Sequence, residues 1–171
     1  MTWTVGGITV RLGLSWIFLA LFLIWSLAQS YFPAFYLGLT PRTYWWMAIV
    51  GAIGFGGSLL FHEWAHALTA RRWGVPAPAS TLFLFGGVPD MKHEPPAPKT
   101  ESVIAITGPL SSFGLSVICY LAFKVGYQAN LPLAVLGILG FLAFANSLLA
   151  GINLIPAFPL DGGLLLRAWL R

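Results

Sequence analysis

The stretch Tyr44–Trp73, YWWMAIVGAIGFGGSLLFHEWAHALTARRW, decides how this chain is read. It is apolar almost throughout, and His62-Glu63-Trp64-Ala65-His66 interrupts it near its end. A run of roughly 20 apolar residues is what a bilayer-spanning helix needs, while His-Glu-x-x-His is the spacing of a zinc hydrolase. The two readings together point to a water-consuming reaction run inside a membrane.

The rest of the chain supports the membrane reading. Of 171 residues, 58% are hydrophobic and only 8% charged, against about 25% charged in a soluble domain. Four segments are long enough to span: Leu12 to Phe32, Tyr44 to about Trp73, about Val103 to Val125, and about Leu131 to Ile155. The first is longer than the apolar core of a signal peptide and no cleavage site follows it, so it reads as retained. The net charge of +4 comes without a dense basic patch or an aromatic platform, so nucleic acid is not an expected partner. Cys119 is the single cysteine, which excludes an intrachain disulfide.

With four spans, Arg11, Arg71, Arg72, Lys92, Lys99, Arg167 and Arg171 fall on one side and only Arg42 and Lys124 on the other. Seven against two predicts that both ends of the chain and the loop from Gly74 to Thr100 are cytoplasmic. His66 precedes Arg71 by five residues, about 7.5 Å of helix, which puts the motif in the cytoplasmic third of the bilayer.

Positions i and i+4 share a helix face, so His62 and His66 can present two imidazoles to one metal ion. Glu63 is rotated about 100° from His62 and stands where a general base would polarise water. A catalytic zinc takes three protein ligands plus water, so a third ligand lies elsewhere. The remaining candidates are few: Asp90, Glu94, Glu101, Asp161 and His93. A third His six residues after His66 is excluded by Arg72. Glu94 and Glu101 sit in Pro-rich or basic sequence and read as solvated surface charge, as does His93. Asp161 differs, because it closes Asn153-Leu154-Ile155-Pro156-Ala157-Phe158-Pro159-Leu160-Asp161-Gly162-Gly163, a broken segment directly after the fourth span. Irregular backbone at membrane depth persists only where protein buries it or a cavity receives it.

These motifs resemble the site-2 protease family of intramembrane zinc metalloproteases. The resemblance rests on His62-Glu63-x-x-His66, on Asn153-x-x-Pro156-x-x-x-x-Asp161-Gly162, on Gly108-Pro109 and on Phe85-Gly86-Gly87. It implies one zinc ion held by His62, His66 and Asp161, with Glu63 as the catalytic base and Asn153 supporting the substrate backbone or oxyanion. It implies substrates that are transmembrane segments of membrane-anchored proteins, and a multi-pass location in the cell membrane. Ser112 stands where the family often has Asn. Because relatives often carry further helices, residues 1–171 read as a single metalloprotease core truncated at its C-terminus.

The expected fold is an all-α membrane protein of about four transmembrane helices. A small β-hairpin or re-entrant element is expected at Thr81–Pro89, between the second and third, where an exposed strand edge could receive an unwound substrate. Asn146 reads as a polar contact to a neighbouring helix, and the glycines from Gly51 to Gly57 as a close-packing surface. Two other functions compete. A catalytically silent zinc- or peptide-binding scaffold would not need Glu63, and a metal transporter should repeat acids or His along several spans, which this chain does not.

Overall fold

The computed structural model describes residues 2–5, 8–11, 14–75 and 97–171, with side chains from Trp16 onward. The expected hairpin at Thr81–Pro89, and with it Asp90, His93 and Glu94, lies outside the described residues.

The chain opens with an antiparallel pair that the sequence reading did not foresee. Strands β1 (Thr2–Val5) and β2 (Ile8–Arg11) align Thr2 with Arg11 and Val5 with Ile8. Their Thr, Val and Ile residues favour extended backbone.

The other regular elements described are all helices, and four of them are long and apolar enough to cross a membrane. The first is composite. Helix α1 (Leu14–Ser26) runs through a π-helical turn (Leu27–Tyr31) into α2 (Phe32–Phe35). Pro33 has no N–H to donate, and just before it the ladder widens so that Phe32 N–H reaches Leu27 O, five residues back.

Helix α3 (Pro41–Arg72) begins with Thr40 accepting the Thr43 N–H and Pro41 in the first turn. It ends after Arg71 and Arg72, where Gly74 takes a positive φ of 69°. Its 32 residues span about 48 Å, more than the hydrocarbon thickness of about 30 Å, so it extends beyond the apolar layer or tilts within it. Helix α4 (Pro98–Gln128) starts five residues before the expected Val103 and turns at Asn130, whose φ is 55°. Helix α5 (Leu133–Asn153) returns, and the broken stretch after it leads into a short helix α6 (Asp161–Trp169).

At the end away from the histidines, Leu27, Ala28, Phe32, Met47, Ala48, Phe141 and Ala145 form a buried cluster. Gly51 and Gly54 let α5 approach α3: a Cβ on either would stand 3.1 Å from Phe141 or Leu142. Gly56 and Gly57 face open space, so only part of that glycine run serves packing. Asn146 is the expected inter-helix contact, donating to Ser58 Oγ at 3.0 Å and to Leu142 O at 2.8 Å. Ser116 ties α4 to α5 through Ala143 O and Ser147 Oγ. Ile17, Phe18, Ile53, Leu110, Ile118 and Leu121 point outward. Outside water such an apolar surface carries no cost, and the chain is a multi-pass membrane protein.

Candidate metal centre

The motif helix forms as its spacing predicts. His62 and His66 lie one turn apart on α3, with rings 4.9 Å between centroids, and both turn toward α4 and the start of α6. Asp161 is the first residue of α6 and arrives from 99 positions along the chain. Its Oδ2 lies 3.1 Å from His62 Nε2 and 3.2 Å from His66 Nε2, and the two Nε2 atoms are 3.2 Å apart. Three donor atoms thus make a nearly equilateral triangle. Three ligands of a tetrahedral zinc, with bonds of about 2.0–2.1 Å, stand about 3.3–3.4 Å apart.

What holds the rings matches that arrangement. His66 Nδ1–H donates to Ile104 O at 2.8 Å. A carbonyl can only accept, so the proton sits on Nδ1 and the Nε2 lone pair faces the triangle. His62 Nδ1 shares a 2.9 Å hydrogen bond with Ser112 Oγ, and His62 is only 4% exposed. With Ser112 accepting, the triangle is two imidazole lone pairs and a carboxylate oxygen, which repel one another unless a cation stands among them. Ligand histidines are commonly oriented by such a bond at the second nitrogen.

Space has been kept for that cation. A Cβ added to Gly108 would fall among the ligand nitrogens, 2.6 Å from His62 Nε2 and closer still to His66 Nε2. Only glycine lets α4 pass under both rings here. The donor types, spacing and open floor fit zinc, and His62, His66 and Asp161 form the one such His, Cys and carboxylate group among the described residues.

Glu63 is half-buried beside this group and makes no hydrogen bond to another described residue, which leaves its carboxylate available for water. Asn153, the last residue of α5, donates its amide to Leu149 O at 2.9 Å, one turn back in its own helix. The structure brings His62, His66 and Asp161 together, while the Asn153 amide is hydrogen-bonded within its own helix.

Two glycines let the loop that delivers Asp161 fold closely onto itself. Gly162 packs against the backbone of Leu154 and Ile155, where a Cβ would lie 2.6 Å from the Ile155 carbonyl carbon, and Gly163 against Ala157.

Glu101 corrects the sequence reading. It is not a solvated surface charge but 4% exposed, and its Oε1 accepts from Arg167 Nε at 2.7 Å and also from Arg167 Nη2. Arg171 Nη1 reaches Oε2 at 3.5 Å. Ser112, Gly108 and the Ile104 carbonyl were not assigned roles from sequence either. A backbone carbonyl leaves no side-chain signal, but Ser112 and Gly108 sit four residues apart on one face of α4.

Comparison with known proteins finds relatives over the part of the chain that carries the histidines. The profile described as peptidase family M50 matches residues 50–131, which include the His-Glu-x-x-His motif and Gly108. The chain is 37% identical over 166 residues to the Rip3 protein of Mycobacterium tuberculosis, which carries a zinc metalloprotease name, covering 97% of this chain and 42% of that one. It is 35% identical over 163 residues to a Synechocystis protein, sll0528, also named as a zinc metalloprotease, covering 95% and 41%. The chain thus spans about two fifths of the length of these curated relatives. Among solved structures it is similar to the site-2 protease from Methanocaldococcus jannaschii, with a TM-score of 0.65 and 28% identity, covering 99% of this chain and 71% of that one.

Proposed function

Because the chain belongs to peptidase family M50, the site-2 proteases, we propose that it is the core of an intramembrane zinc metalloprotease that cleaves transmembrane segments of membrane-anchored proteins. The observation that carries this reading is the triangle of His62 Nε2, His66 Nε2 and Asp161 Oδ2, with all edges at 3.1–3.2 Å and a glycine beneath it.

In this reading His62, His66 and Asp161 hold the metal. Bound zinc supplies a Lewis acid, which lowers the pKa of water to near 7 and polarises a carbonyl. Glu63 takes a proton from the attacking water and returns it to the departing amine, so one carboxylate serves first as base and then as acid. Asn153 holds the substrate backbone or the developing oxyanion; one of its amide hydrogens is engaged by Leu149 O, and the other is free for this. The substrate helix must unwind locally, because a helical peptide bond is hydrogen-bonded and shielded from attack.

The orientation rests on the distribution of Lys and Arg. Both ends of the chain face the cytoplasm, and the site lies in the cytoplasmic third of the bilayer, close to Arg71 and Arg72. Water reaches it from that side.

Zinc analysis combined with a cleavage assay in detergent tests the proposal. Stoichiometric zinc and cleavage of a transmembrane substrate that disappears in Glu63→Gln is the expected result. Zinc without any Glu63-dependent cleavage would leave a silent metal-binding scaffold.

A further inference from the structure

The structure ties the third metal ligand to a buried charge pair outside the ligand set. Helix α6 is short, and Asp161 sits at its first residue, after a stretch without regular hydrogen bonding. Arg167, six residues on, reaches in two directions. Its guanidinium donates to Glu101 on α4 and lies 5.8 Å over the ring of Phe158, in the loop just before Asp161. Glu101 in turn is on the same helix as the Ile104 carbonyl that orients His66 and as Gly108.

We infer that Glu101 and Arg167 are positioning residues: they clamp α6 and its entry loop to α4, and so set the distance of Asp161 Oδ2 from His62 and His66. This rests on the metal-centre reading above. Two physical points support it. A carboxylate this buried must be fully paired to persist, since an unpaired charge in a low-dielectric interior is costly. The pair's location also matters: contacts to Phe158 and from Arg167 bracket Asp161 on both sides in sequence, so that the carboxylate cannot shift without disturbing one of them. The other two ligands need no such device, because α3 is a long continuous helix.

Zinc dissociation constants, measured by chelator competition on the full chain in detergent, test the clamp. The visible spectrum of the cobalt-loaded protein reports ligand geometry independently of activity. Glu101→Gln and Arg167→Gln are each expected to weaken zinc by about 10- to 100-fold, as loss of groups that orient metal ligands does, and to alter the cobalt bands. Breaking one side of a buried pair can also unfold a protein, so the double variant Glu101→Leu/Arg167→Met replaces both charges by apolar side chains, a change that often preserves stability. Its metal-free melting should match wild type while zinc binding stays weak. Phe158→Leu, at an exposed ring, removes only the stacking contact and should weaken zinc by a few-fold.

Zinc affinity within twofold of wild type in the folded double variant, or in Phe158→Leu together with unchanged cobalt bands, would overturn the clamp. His62→Ala separates the two levels. It should lose zinc; if it keeps wild-type affinity, the metal-centre reading fails and the clamp with it. Loss in His62→Ala beside full affinity in the clamp variants sinks the clamp alone.

Discussion

Gly108 lies so close beneath His62 that a single methyl on it would stand 2.6 Å from the Nε2 atom. That nitrogen is proposed to bind metal, so the space a Cβ would take is the space the ion needs. Gly108→Ala is therefore expected to abolish stoichiometric zinc. Gly114→Ala, on the same helix but with nothing within 4 Å of its Cβ, should leave zinc content intact. Metal analysis of the two purified variants makes the comparison; equal zinc in both would remove Gly108 from the site.

Glu63 is half-buried, unbonded to other described residues and outside the ligand triangle. Its loss should spare metal binding and damage catalysis. Glu63→Gln is expected to retain zinc and to lower turnover by about 10²–10⁴-fold, the usual contribution of general acid–base catalysis. A Gln variant that loses its zinc would show Glu63 to be a ligand instead.

Zinc should also hold the bundle together. Its ligands come from α3 and from α6, so an ion bridging them binds the folded chain and not the unfolded one. At free zinc a hundredfold above the dissociation constant, the stabilisation is about 2.7 kcal/mol. Unfolding with and without chelator should show this increment in wild type, and His66→Ala should lack it. An identical response to chelator in both would mean that zinc acts elsewhere.

The sequence revealed the part of the site that is local. His62, Glu63 and His66 are read from one helical turn, and Asp161 stands out because so few acids compete with it. Contacts set by distance along the chain were hidden. Glu101 beside Lys99 looks solvated, and its partner Arg167 is 66 residues away. The true start of α4 was within reach, since Pro98 and Glu101 are good first-turn residues. Hydropathy located Val103 instead because it measures where lipid begins and not where the helix does. The π-helical turn before Pro33 and the strand pair at Thr2–Arg11 were missed for a related reason: both lie in or beside an apolar run that reads as one uninterrupted span.

Ser112 carries the last prediction. Its hydroxyl is buried completely and bonds His62 Nδ1 at 2.9 Å, the contact that points Nε2 at Asp161 and His66. The neighbouring Ser111 turns elsewhere and donates to Gly108 O within α4. Ser112→Ala leaves the ring free to rotate and its Nδ1 without a partner in a buried setting. Zinc affinity should fall by about 10- to 100-fold. Ser111→Ala removes a hydroxyl from the same helix without touching the ring, so its zinc affinity should stay at the wild-type value. Chelator competition on both distinguishes loss of orientation from loss of any serine on α4, since the second cause would weaken the two variants alike.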